Sequence, residues 1–217
     1  VAVLGEPRLG FLVSSGNMDS MVNHYTSNKK RRSTDAYSPG GQAGLRPNHA
    51  VSVYSNLIRK RFKHVPIIIG GIEASLRRLA HYDYWSDSLK RSILLDANAD
   101  LLIYGMGEKA VHEIADSLAA GIAVQDITYV AGTVWRARDL DACVDPVMLP
   151  SYEEMLADKA QYAKSFYTQY CNMDSHYAKT LVEQYEEHLF VVQNPPAEPL
   201  TSDELDFVYE LPYAGTY

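Results

Sequence analysis

The chain has 217 residues, 47% hydrophobic and 22% charged, with a net charge of −7. That is the balance of an ordinary globular protein, long enough for one full domain plus an extension. No apolar run approaches the roughly 20 residues that a membrane-crossing helix requires, so a membrane partner is not expected. Cys143 and Cys171 give neither a metal-site spacing nor a disulfide framework, and the simplest expectation is two buried thiols in a reducing, cytoplasmic setting. The 7 histidines are scattered, with no His-x-His pair, so no metal site is expected either. Residues 1–91 hold 14 of the 20 Lys and Arg but only 6 of the 27 Asp and Glu. Such asymmetry fits an anionic partner for the basic part, or two parts that pack against each other or against a missing segment. The opening Val1-Ala2-Val3-Leu4-Gly5-Glu6 lacks an initiator Met and a signal-peptide pattern, and suggests a processed chain or a fragment.

Arg8-Leu9-Gly10-Phe11-Leu12-Val13 reads as a strand closed by Ser14-Ser15-Gly16-Asn17. The polar, glycine-containing stretch from there to Pro47 is too long for an idle connection: it is either a binding loop or a surface insertion. Asn48 is placed to cap a helix through Ala50, Val53, Tyr54, Leu57, Ile58 and Phe62, whose basic end complements the helix dipole. Val65-Pro66-Ile67-Ile68-Ile69 then reads as a strand buried on both faces. It stops at Gly70-Gly71, and a segment able to start a helix follows with Glu73 in its first turn. His81-Tyr82-Asp83-Tyr84-Trp85-Ser86-Asp87, interleaved with Arg77 and Arg78, is either a stacking platform for a planar group or aromatic packing.

Leu101-Leu102-Ile103-Tyr104 repeats the pattern, with a turn at Gly105-Met106-Gly107-Glu108 and a helical face of Val111, Ile114, Ala115 and Leu118 ended by Gly121. The third glycine of a dinucleotide fingerprint is missing there. Residues 127–131 read as a further parallel strand, with Thr133-Val134-Trp135 pairing back. Ser151-x-x-Glu154 is a capping box for a helix whose inward face is Tyr152, Met155, Leu156, Ala160, Ala163, Phe166, Tyr167 and Tyr170. A second helix is expected from Ser175 to Leu189, then a short strand at Phe190-Val191-Val192, and Thr201-x-x-Glu204 caps a last small helix.

Four strings carry a resemblance: residues 14–26 (Ser14-Ser15-Gly16-Asn17-Met18-Asp19 onward), residues 69–78, residues 81–87 and Asn194-Pro195-Pro196-Ala197. In this order they resemble the YgiQ-type radical SAM family of Fe–S oxidoreductases, in the segment that precedes the radical SAM barrel. The resemblance implies that the domain's first strands lie before Val1 and that the CxxxCxxC cluster motif lies after Tyr217. It also implies a parent protein with a [4Fe–4S] cluster and S-adenosylmethionine, neither of them held by these residues. The two glycine turns more distantly resemble loops of cobalamin-binding domains, but the cobalt-ligating Asp-x-His-x-x-Gly pattern is missing, which counts against cobalamin.

The expected fold class is therefore α/β: a Rossmann-like or flavodoxin-like, mostly parallel sheet over residues 1–140, similar to a cobalamin-binding domain. A helical extension over 141–217 would lead toward the barrel of the same polypeptide, the expected partner. Parallel order would gather the turns after three strands on one edge. Ser14, Gly16, Gly70, Gly71, Glu73, Gly105, Gly107 and Glu108 are accordingly the candidate ligand-binding residues, with Glu73 and Glu108 alternatively serving only their helices. No catalytic dyad stands out. An accessory role in substrate or cofactor binding leads, with a nucleotide or nucleic-acid module and a purely structural domain as alternatives. Overall acidity counts against nucleic acid, and the substrate is not legible.

Overall fold

The computed structural model describes Val3 and residues 5–213. Val1, Ala2, Leu4 and residues 214–217, which include the outer ends of both expected segments, lie outside the described residues. In chain order the first elements are β1 (Phe11–Val13), α1 (Ser20–His24), α2 (Ala50–Arg61), β2 (Ile67–Ile69) and α3 (Gly71–Leu76). A hairpin of β3 (His81–Asp83) and β4 (Ser88–Lys90) precedes α4 (Ile93–Asp96), β5 (Leu101–Ile103) and α5 (Glu108–Ala119). The rest comprises β6 (Thr133–Ala137), β7 (Val147–Met148), α6 (Tyr152–Ala157), α7 (Lys159–Cys171), β8 (Leu181–Glu186), β9 (Leu189–Gln193) and α8 (Ser202–Tyr209).

Seven strands form one mixed sheet in the order β1-β2-β5-β6-β9-β8-β7. β1, β2 and β5 are parallel neighbours, so β2 lies inside the sheet as its triple-isoleucine run predicts. Side chains alternate across a strand, and two cores follow from that. Ile67 and Ile69 join Val13, Leu102, Val134, Leu181 and Val191 on one face, under Val51 and Ile58 of α2 and Ile93 and Leu94 of α4. Ile68 joins Leu101, Ile103, Trp135, Val182 and Val192 on the other, under Ala110 and Ile114 of α5. A slip of one residue in β2 would draw Pro66, which has no N–H, or Gly70 into the ladder, and these flanking residues fix its register.

Several expectations are corrected. Residues 127–131 form no strand, and the strand beside β5 is β6, which runs antiparallel to it. Ile127 and Val130 do enter the core. The local carbonyls, however, are bonded by a side chain instead of a ladder: Asn194 Nδ2 donates to the oxygens of Thr128 (2.8 Å) and Val130 (2.9 Å). The helix expected from Ser175 to Leu189 is replaced by the β8–β9 hairpin, whose β9 also pairs with β6. Tyr177, Leu181 and Tyr185 are spaced like a helical face, but an open sheet edge supplies the ladder partner, and tertiary context decides. The sheet thus continues past residue 140, while α6, α7 and α8 supply the helices of residues 141–217.

The capping boxes at Ser151/Glu154 and Thr201/Glu204 are both formed. Asn48 is not a helix cap: His49 occupies that position with φ 51°, and its side chain makes no cap hydrogen bond. α7 presents its apolar side outward, with Phe166, Tyr167 and Tyr170 at 61%, 67% and 64% exposure and Ser165 its one buried residue. Cys171, at the end of that helix, is exposed rather than buried, and Cys143 is half-buried. No helix among the described residues is long and apolar enough to cross a membrane.

Candidate functional site

Because β1, β2 and β5 run parallel, the residues after each strand emerge on one edge. A cavity of about 280 Å³ opens there, and Ser14, Gly70, Gly71, Gly105 and Gly107 line it. Its remaining walls are apolar, including Leu12, Ile68, Ile103 and Val111, so the crevice has a glycine rim over a hydrophobic floor. Gly71 has φ +78°, a conformation that disfavours a side chain, and a Cβ there would lie 3.3 Å from Ser14 Cβ. Gly70, in contrast, is extended (φ −162°), and its added Cβ would meet Ile103 O at an ordinary 3.5 Å. Its contribution is the open rim, not an unusual backbone.

The other three candidates stand outside that cavity. Gly16 lies in the turn after β1, where an added Cβ would be 3.3 Å from Arg46 Nη1. Glu108 is exposed and lines the groove between α5 and α8. Glu73 is fully buried and points into the loop that follows β1. Its Oε2 accepts from Ser20 N (2.8 Å) and its Oε1 from Val51 N (3.1 Å). Ser20 Oγ accepts from Ala50 N (3.1 Å). One carboxylate and one hydroxyl thereby satisfy the first N–H groups of α1 and α2, doing for α2 what its own cap residue does not. Glu73 is a first-turn residue of its own helix, as its position suggests, yet its partners lie 22 and 53 residues away.

The long loop folds back over α3. Asp19 caps α1 by accepting from Met21 N (2.9 Å) and Val22 N (3.0 Å), and it pairs with Arg77. Burial raises the Asp19 pKa, but hydrogen bonding and charge from Arg77 outweigh it, and the net shift is downward. Asn23 and His24 are buried, and His24 Nδ1 meets Asn48 Oδ1 at 2.9 Å. Beside this loop the β3–β4 hairpin encloses a second, larger pocket of about 550 Å³, to which Tyr25, Arg32, Arg77, His81 and Trp85 contribute. Arg78 does not share in it. It bonds Gln193 Oε1 (2.7 Å) and Ser75 O (2.8 Å) and stands over the Tyr104 ring.

Two residues take roles that the sequence leaves unassigned. Asn194 fastens the turn before β6 with the bonds given above, and its Oδ1 accepts from Trp135 Nε1 at 3.3 Å. The Asn-Pro-Pro string was the available signal, since a buried amide before a rigid turn fits a clasp. Glu183 on β8 is fully buried; burial drives its pKa up to about 7, against hydrogen bonds donated by Tyr185 Oη and Ala80 N. Nothing in its local sequence marks it.

The profile of the family described as radical SAM N-terminal matches residues 1–217. The chain belongs to that family. This radical SAM N-terminal chain is 55% identical over 214 residues to a UPF0313 protein of Clostridium botulinum, covering 99% of the chain and 33% of the relative. A UPF0313 protein of Clostridium perfringens is 51% identical over 215 residues, with 99% and 32% covered. One from the archaeon Methanocella arvoryzae is 50% identical over 210 residues, with 97% and 35% covered. The radical SAM N-terminal chain thus spans about a third of the length of the curated relatives it matches. No solved structure matches it significantly.

The family name implies an iron–sulfur cluster, and the residues present do not fit one. Two cysteines cannot supply three thiolates. Cys143 lies in the turn after β6 and Cys171 at the end of α7, and burial raises the Cys143 thiol pKa, which disfavours the thiolate. No group of three or more His, Cys, Asp or Glu is poised for a metal among the described residues.

Proposed function

We propose that this chain is the N-terminal accessory domain of a radical SAM Fe–S oxidoreductase-like protein, which contributes to substrate or cofactor binding and carries no cluster itself. The parent's [4Fe–4S] cluster and S-adenosylmethionine belong, on this reading, to a radical SAM barrel in the same polypeptide. The observation that carries the proposal is the convergence of Ser14, Gly70, Gly71, Gly105 and Gly107 around one crevice, where ligands of open α/β sheets gather. A Rossmann-like description fits β1, β2 and β5 and stops at the antiparallel β6. Gly16, Glu73 and Glu108 support the neighbouring turn and helices instead of touching the ligand. The barrel packs against the segment 141–217, where the outward aromatic side of α7 offers an apolar contact face. A crevice floored by Ile68 and Ile103 suits a ligand with apolar surface.

Gly70→Val in the full-length protein tests this directly. The extended backbone at Gly70 accommodates valine, so the variant should fold and keep its full cluster content while losing substrate binding. Gly71→Val should lose binding as well, with some loss of stability. Wild-type turnover by a folded Gly70→Val protein would remove the crevice from the function.

A further inference from the structure

The pocket between the α1 loop and the β3–β4 hairpin is built differently from the crevice. At about 550 Å³ it falls within the span of roughly 300–1,000 Å³ typical of small-molecule sites. One wall is aromatic: the Tyr25 and Trp85 ring centroids lie 4.2 Å apart, and Tyr82 and Tyr84 flank them. That wall is fixed in place, because Tyr84 Oη donates to Ser27 O (2.6 Å) and Lys29 Nζ donates to Trp85 O (2.9 Å). Lys29 Nζ also stands 5.1 Å from the Tyr84 centroid.

The cations of the pocket have capacity to spare. Arg77 is only 15% exposed and engages through Nη1 alone, with Asp19 and with Glu73 O. Its Nε and Nη2 have no hydrogen-bond partner among the described residues. Arg32 is tethered by Nε to Val22 O (3.3 Å), and both of its Nη groups are free among the described residues. The acids are committed elsewhere: Asp19 to its helix and Arg77, and Asp83 to Trp85 N, Ser86 N and Ser86 Oγ. Of the two, Arg77 is the shielded one, and its free donors stand beside the aromatic wall, while the exposed Arg32 adds further donors at the rim. Arg46, Arg59 and Arg78, similarly shielded, each bond through two or more nitrogens. His81 completes the lining. Its Nδ1 faces Leu79 O at 3.1 Å, and a carbonyl can only accept, so Nδ1 carries the proton and Nε2 is an acceptor. Burial lowers the His81 pKa and keeps that neutral form at pH 7.

We propose that this pocket binds a planar aromatic ring carrying an anionic group, the ring against the Tyr25–Trp85 wall and the anion on Arg77 and Arg32. An aromatic carboxylate and a nucleotide phosphate share this chemistry, since guanidinium groups take either in a forked geometry. This site is distinct from the glycine-rimmed crevice and stands or falls without it.

Isothermal titration of the full-length protein with GMP and with 4-hydroxybenzoate tests the inference, with ribose 5-phosphate and guanosine as the anion-only and ring-only controls. At least one ring-bearing anion should bind, and each control should bind about tenfold or more weaker. Binding of GMP alone would mark a nucleotide site, and of 4-hydroxybenzoate alone an aromatic-acid site. Arg32 is exposed, so Arg32→Ala should leave the melting temperature unchanged and weaken binding by about tenfold. Trp85→Ala should abolish binding and Trp85→Phe should retain it. The inference is overturned if neither probe binds up to about 1 mM, if ribose 5-phosphate binds as well as GMP, or if Arg32→Ala binds as tightly as wild type.

Discussion

Glu183→Gln should remove one pH-dependent contribution to stability. The carboxyl sits in the β8 core, where Oε1 accepts from Ala80 N (2.8 Å) and from Tyr185 Oη, while Oε2 is buried with no partner. Burial disfavours the charged form and raises the pKa from its usual 4.5 to about 7. A raised acid pKa stabilises the fold fully below pH 4.5, where folded and unfolded chains are both protonated. The contribution fades as the pH climbs toward 7, because the unfolded chain releases its proton first. A shift of that size corresponds to about 3 kcal/mol, at 1.36 kcal/mol for each pH unit. Glutamine keeps the Oε1 acceptor and the shape but cannot ionise. Urea denaturation of wild type and variant, followed from about pH 4 to pH 8, isolates the effect, because every other titrating group cancels in the difference. Wild type should lose about 3 kcal/mol relative to the variant across that window and nothing further above it. A difference that stays level with pH would refute the buried, neutral carboxyl. One that favours wild type as pH rises would mean the carboxylate has a cationic partner.

Two further perturbations probe side chains that replace missing backbone partners. Asn194→Ala removes the donor shared by Thr128 O, Val130 O and Thr133 Oγ1. It should cost about 3 kcal/mol in denaturation and alter Trp135 fluorescence, and an unchanged Tm would disprove the clasp. Glu73→Ala strands the buried amides of Ser20 and Val51. A loss of about 2–5 kcal/mol is expected, smaller for Glu73→Gln, and equal losses in the two variants would argue against the helix-terminus role.

What could be read from the sequence follows from the range of each interaction. The triple isoleucine of β2, the second strand at Leu101–Ile103 and both capping boxes are local patterns, and they took the expected form. The parallel order of β1, β2 and β5 followed from strand–turn–helix repetition, so the shared edge of Ser14, Gly70 and Gly105 was legible as well. The misread segments owe their state to distant partners. Residues 127–131 look like a strand until Asn194, more than sixty positions later, occupies their carbonyls. Leu181 and Tyr185 look helical until β9 provides a ladder. The single helix expected from Ser151 through Tyr170 breaks at Asp158 into α6 and α7, and α7 turns its stripe outward, because an apolar stripe shows which face wants covering and not what covers it. The roles of Glu73 and Glu183 arise only when separated segments meet.

The measurement that tests the central claim most directly is anaerobic reconstitution with iron and sulfide, run in parallel on this 217-residue chain and on the full-length polypeptide, followed by metal and sulfide assay. An accessory domain without a cluster predicts stoichiometric iron and sulfide on the full-length protein and background levels on the chain alone. A stoichiometric cluster on the 217 residues, held with only Cys143 and Cys171 available, would contradict it.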